Sequence, residues 1–118
     1  MKLMNKKLPI ISVVITNYNY GEFLDKSIRS VITQTYRNIE IILIDDCSID
    51  NSKDIYKKFS KKIKIIEHEK NKGIVETRNE AIDVTKGDFL CFLDADDYFD
   101  DDYIENLYRV LIKNEADI

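Results

Sequence analysis

At 118 residues, 44% hydrophobic and 34% charged, with three glycines and one proline, the chain has the size and composition of one compact domain. A net charge of −4 argues against a general nucleic-acid binder. No stretch approaches the roughly twenty apolar residues of a membrane span. Met1 to Pro9 lacks an apolar core of signal-peptide length, which points to the cytoplasm. Cys47 and Cys91 are expected as free thiols, and the lone His68 has no cysteine or histidine at zinc-ligand spacing.

In chain order, Ile10 to Thr16 is a β-branched strand that ends in the turn-forming cluster Asn17-Tyr18-Asn19-Tyr20-Gly21. Leu24, Ile28 and Val31 recur at helical spacing through Gln34. Ile39 to Ile44 predicts a second strand, stopped by Asp45 and Asp46, with Ser48 and Asp50 available to cap the next element. Ile55, Tyr56 and Phe59 mark a short helix, and Ile63 to Ile66 a more exposed third strand. The basic run Lys53, Lys57, Lys58, Lys61, Lys62 and Lys64 reads as a solvated helix face and turn, with attraction to a membrane surface as the lesser option.

Beyond Asn71-Lys72-Gly73, a helix carrying Ile74, Arg78, Ala81, Ile82 and Thr85 is expected to end at Gly87. The run from Phe89 to Leu93 reads as a strand covered on both faces, and it delivers Asp94, Asp96 and Asp97 to its C-terminal end. Asp100, Asp101 and Asp102 are expected to cap a last helix carrying Ile104, Leu107, Tyr108 and Leu111. An EF-hand starting at Asp94 is rejected, because Tyr98 and Phe99 stand where that loop needs a ligand and a glycine.

The strand-helix alternation predicts an α/β fold with a mainly parallel sheet and helices on both faces, a three-layer α/β/α arrangement. Such a topology brings Thr16 to Tyr18, Asp45 to Asp46 and Asp94 to Asp97 to one rim, where ligands of these sheets bind. With no glycine-rich phosphate loop, a diphosphate there would be held by a divalent cation on carboxylates, assisted by Arg78 or Lys72. Tyr18 offers a flat face to a base, Asp46 an acceptor for a base N–H and Asp94 an acceptor for ribose hydroxyls. Asp96 is then best placed for the metal.

Five segments in consecutive order carry a resemblance: 13–19, 30–36, 41–50, Asn71-Lys72-Gly73 with Arg78-Asn79, and 92–97. Together they resemble family 2 glycosyltransferases of the Rossmann-like GT-A fold, over about residues 9 to 118. The resemblance implies a nucleotide-sugar donor, most often a UDP-sugar, Mn or Mg at a D-x-D aspartate, and inverting hexosyl transfer to a glycan or polysaccharide acceptor. Residue by residue, it implies Thr16 and Tyr18 flanking the uracil and Asp46 recognising it. Arg78 is implied near base and diphosphate, Asp94 at the ribose and Asp96 at the metal.

Two departures stand out. Thr16-Asn17-Tyr18-Asn19 replaces a frequent Pro-Thr-Tyr-Asn, and Glu80 follows Arg78-Asn79 where a small residue is common, so that its carboxylate is expected to point outward. Residues 1–8 read as a tail and 9–118 as the donor-binding domain, with the acceptor half and the general base expected beyond Ile118. On that reading this piece binds donor without efficient transfer, at the inner face of a membrane at most. The alternatives are a non-catalytic nucleotide or metal-binding module and, less favoured, a receiver-like phosphorylation domain. Sugar, acceptor, linkage and oligomeric state are not written in these residues.

Overall fold

The computed structural model describes residues 8–113; the expected tail over 1–8, Leu8 apart, falls outside them. Four strands, β1 (Ile11–Asn17), β2 (Ile39–Asp45), β3 (Lys64–Glu67) and β4 (Phe89–Asp94), alternate with four helices. The helices are α1 (Gly21–Ile32), α2 (Ser52–Tyr56), α3 (Ile74–Val84) and α4 (Tyr103–Lys113), and a 3-10 turn, Lys57–Phe59, extends α2. All strand pairs are parallel, in the order β3-β2-β1-β4.

Burial on both faces explains the near-continuous apolar run of β1. Ile11, Val13 and Ile15 join Leu43 and Leu93 in a cluster with Leu24, Ile28 and Val31 of α1, Tyr56 of α2 and Ile104 of α4. Val14, Ile42 and Ile44 pack on the other face with Ala81 of α3. The placement follows from chain direction. The path from β1 to β3 moves one way across the sheet with α1 and α2 on one face, whereas β3 to β4 returns past β1. Keeping one crossover hand then requires α3 on the opposite face.

Several boundaries and caps differ from the sequence reading. β4 is an edge strand among the described residues, with β1 as its neighbour, yet both of its faces are covered as expected, Cys91 and Leu93 packing on the α1 side and Leu90 and Phe92 on the α3 side, while Phe89 at its start is exposed. Gly87 does not end α3, whose last residue is Val84 and whose flanking Thr85 is extended. Instead Gly87 permits close approach to β1, since an added Cβ would lie 2.4 Å from Ser12 Oγ and 2.8 Å from the Ile10 carbonyl. At the start of α4, the oxygen that accepts the Ile104 N–H is Gln34 Oε1, at 2.9 Å, and not an aspartate of the 100–102 run. Asp50 caps across the chain as well as locally, accepting the Gly21 N–H at 2.8 Å and the Ser52 N–H at 3.0 Å. The basic run is a solvated surface as expected, with all six lysines exposed. Cys47 and Cys91 are free.

Candidate nucleotide site

The C-terminal ends of β1, β2 and β4 meet at the point where the strand order reverses around β1, the place where open parallel sheets form a crevice. The rim is held by side chains that bridge the ends. Asn17 Nδ2 donates to Asp45 Oδ1 at 2.7 Å and to Ser48 Oγ at 3.2 Å. Ser48 Oγ also accepts the Asn19 N–H, and Asn19 Oδ1 accepts the Ile49 N–H. Asn19 has φ of 58°, a left-handed conformation that asparagine tolerates better than most residues. These bonds fix the loop after β1 to the loop after β2, so Tyr18 and Tyr20 flank the mouth of a fixed cleft of about 390 Å³.

On the β4 side, Thr16 and Asp94 are register partners, and Thr16 Oγ1 donates to Asp94 Oδ1 at 3.0 Å. Ala95 is fully buried and donates its N–H to the Thr16 carbonyl. Alternation across this buried alanine turns Asp94 and Asp96 both toward the cleft, and the Asp97 N–H closes the turn on the Asp94 carbonyl. Asp96 is exposed, and its carboxylate has no hydrogen bond or ion pair among the described residues.

The far wall is built on Asp46. Its carboxylate accepts the Lys72 N–H at 2.7 Å and His68 Nδ1 at 2.8 Å on Oδ1, and the Gly73 N–H at 3.0 Å on Oδ2. Burial opposes its ionisation, but the Lys72 amide, the His68 ring and the Gly73 amide together hold its pKa below the ordinary carboxylate value. A carboxylate has about four acceptor positions, so Asp46 retains one on Oδ2 toward the cleft it lines. Gly73 has φ of 85° and ψ of 166°, a region open essentially to glycine alone, and this lets the 71–73 loop turn its amides onto Asp46 before α3 begins.

Of the residues singled out from sequence, Thr16, Tyr18, Asp46, Asp94 and Asp96 line this one cleft. Arg78 does not; its guanidinium lies over the Phe92 ring, 5.4 Å from the centroid. Glu80 turns inward rather than outward, its Oε1 meeting His68 Nε2. The buried His68 and its two carboxylate partners were not anticipated, nor was the split of labour by which Asp45 secures the loops while Asp46 faces the cleft. No local signal marks either one, since Asp45 and Asp46 are neighbours of identical chemistry.

The donor set suits a hard divalent cation, being carboxylate oxygen only. Among the described residues no group of three His, Cys, Asp or Glu side chains is positioned to enclose a metal. A cation here would therefore rest on Asp96, with Asp94 beside it, and take its remaining oxygens from a ligand and water.

Residues 12–118 match Glycosyl transferase family 2. The chain belongs to this family. As a family 2 member it is 40% identical over 111 residues to the glycosyltransferase GlyA of Streptococcus pneumoniae, covering 92% of this chain and 16% of GlyA. It superposes on S. aureus TarS 1-349 in complex with UDP-GlcNAc with a TM-score of 0.82 and 26% identity, covering 89% of this chain and 32% of that one. The mannosyltransferase PcManGT of Pyrobaculum calidifontis, in complex with GDP-Man and Mn2+, shares the fold at a TM-score of 0.73 and 18% identity, over 80% of this chain and 29% of that one. The architecture of this family 2 chain is thus the GT-A fold. It spans less than half the length of the curated relatives it matches, 16%, 37% and 44% of the first three.

Proposed function

We propose that residues 9–118 form the donor-binding domain of an inverting glycosyltransferase that uses a UDP-sugar and a divalent cation, Mn or Mg, and transfers to a glycan acceptor. The observation that carries this reading is the pairing, in one cleft, of an exposed tyrosine face and an Asp46 acceptor position with the Asp94 and Asp96 carboxylates opposite. TarS, a relative in fold at 26% identity, is described with UDP-GlcNAc, which favours uridine over other bases.

In this reading the uracil lies between Thr16 and Tyr18, with its N–H donated to Asp46 Oδ2. Asp94 stays fixed by the Thr16 hydroxyl and accepts from the ribose. The exposed Asp96 carboxylate would hold the cation, which when bound would supply positive charge to the diphosphate leaving group. Arg78, on a long side chain held over Phe92 by a cation–π contact of modest strength, swings to the diphosphate when donor binds. The base that deprotonates the acceptor lies outside these residues, and this chain alone binds donor without transferring it. Sheet and helices position the donor; the acceptor side is completed elsewhere.

Calorimetric titration of UDP, with and without Mn2+ and with ADP as control, tests the reading on the parent chain and on Asp96→Ala. Mn2+-dependent UDP binding that Asp96→Ala abolishes supports it. Absence of UDP binding under every metal condition overturns it, and equal affinity for ADP overturns the uridine assignment. Transfer of sugar by this chain alone would overturn the statement that the base lies outside.

A further inference from the structure

We infer that His68 is a positioning residue of the nucleotide site, an imidazolium clamped between Asp46 and Glu80 that fixes the Asp46 carboxylate and, through it, the Lys72–Gly73 wall of the cleft. The inference rests on the donor-site reading above and deepens it, because it makes uridine binding depend on a proton held behind the site.

The geometry begins with burial. The His68 side chain is 2% exposed, and each ring nitrogen faces a carboxylate oxygen, Nδ1 to Asp46 Oδ1 at 2.8 Å and Nε2 to Glu80 Oε1 at 2.5 Å. Neither oxygen has a proton to give when ionised, and a neutral imidazole donates from one nitrogen only. One of the two contacts would then set a lone pair against a carboxylate in a buried place. Both contacts are satisfied together only by the doubly protonated ring. The groups facing it are Asp46 from the end of β2, Glu80 from α3 and Lys72 from the intervening loop, of which only Lys72 opposes its charge. Burial also opposes the charge, but the two carboxylates outweigh burial and lysine, and the pKa of His68 lies above its ordinary value.

The consequence reaches the cleft through shared atoms. Asp46 Oδ1 accepts from His68 and from the Lys72 N–H, while Oδ2 accepts from Gly73 and keeps its remaining position for a ligand. The backbone N–H of His68 is itself held by the Asp45 carbonyl at 2.9 Å, which fixes the residue against the end of β2, while its ring is held between Asp46 and Glu80 of α3. When the ring loses a proton, Asp46 or Glu80 loses its donor. The carboxylate plane of Asp46 is then free to rotate, taking the free Oδ2 position and the Lys72 and Gly73 amides out of register with a base.

The test is UDP calorimetry with Mn2+ from about pH 7 to about pH 9 on the parent, His68→Gln and Glu80→Gln, together with NMR titration of the parent's His68 ring and its Lys72 and Gly73 amides without nucleotide. His68→Gln is expected to bind UDP about tenfold more weakly at neutral pH, because the cationic donor to the Asp46 carboxylate is replaced by a neutral amide. Parent affinity is expected to fall as pH rises through the ring's midpoint, with no such step in His68→Gln. In Glu80→Gln the step moves to lower pH, because one of the two stabilising charges is gone. Parent affinity retained by His68→Gln, or the same pH profile in both chains, overturns the inference. Should the parent fail to bind UDP, the donor reading fails instead, and the NMR arm decides this one: amides of Lys72 and Gly73 that follow the ring's titration support it, and amides indifferent to the ring overturn it. That arm also decides if His68→Gln does not fold.

Discussion

Asn17 and Asp45 end β1 and β2 as register partners, and a buried 2.7 Å bond from Asn17 Nδ2 to Asp45 Oδ1 ties the two strand ends together. Asn17 also donates to Ser48 and accepts the Tyr20 N–H, so one side chain serves both loops of the cleft. Asn17→Ala is expected to cost about 2 to 3 kcal/mol, since it removes a charged-acceptor bond and leaves buried groups with fewer partners. Asn17→Asp should cost more at neutral pH, with two carboxylates in contact. Urea unfolding of both variants checks the order.

Among the described residues Asp96 has no such partner, and it stands exposed on the cleft. Its replacement by alanine should change unfolding free energy by no more than about 0.5 kcal/mol, as for surface sites generally. Metal-dependent UDP binding should nevertheless fall by at least about tenfold, because a hard cation loses its protein carboxylate. The contrast between a flat urea midpoint and a lost calorimetric signal separates a binding role from a structural one.

Gln34 is 1% exposed and links three segments: Nε2 donates to the Ser30 and Asp100 carbonyls, and Oε1 accepts from Ile104 at the start of α4. Gln34→Ala should destabilise by about 2 to 3 kcal/mol, combining loss of a helix cap with loss of the donor to the buried Ser30 carbonyl and the part-buried Asp100 carbonyl. Hydrogen exchange is expected to show the largest loss of protection in the first turn of α4.

Two glycine substitutions should fail for different reasons. At Gly87 an alanine Cβ meets Ser12 and the Ile10 carbonyl, and because part of that contact is backbone the cost is about 1 to 3 kcal/mol of displacement between the segment joining α3 to β4 and the start of β1. At Gly73 nothing lies within 4 Å of an added Cβ, yet the backbone conformation itself carries a cost of about 1 to 3 kcal/mol. Only the second is predicted to weaken UDP binding beyond what its stability loss explains, since Gly73 donates to Asp46 and lines the cleft.

Stability should fall away on both sides of neutrality. Burial opposes ionisation of Asp46, Asp50 and Glu40, but hydrogen bonds outweigh it and hold their folded pKa values low. Their contribution is complete above the ordinary carboxylate range of about 3.9 to 4.3 and is lost as pH falls through the folded values. His68 has the opposite sign: its contribution is complete below about 6.5 and is lost as pH rises through its elevated folded pKa. Thermal unfolding against pH should show an alkaline limb that His68→Gln removes and an acid limb that it reduces only by the share Asp46 owes to His68, the shares of Asp50 and Glu40 remaining.

The amino-acid sequence by itself determined the order and type of the elements and the delivery of Thr16, Tyr18, Asp46, Asp94 and Asp96 to one rim. Helical and strand periodicities are local, and parallel crossovers leave little freedom in where strand ends gather. Only the tertiary structure decided which of two adjacent aspartates braces the loops, that Glu80 turns inward to His68, that Gln34 rather than an aspartate caps α4, and that Gly87 serves packing rather than helix termination. Each of these is a contact between residues from 12 to 75 positions apart. A hydrogen bond selects its partner by distance and direction in space, and neighbouring residues of the same chemistry look alike until the chain has closed around them.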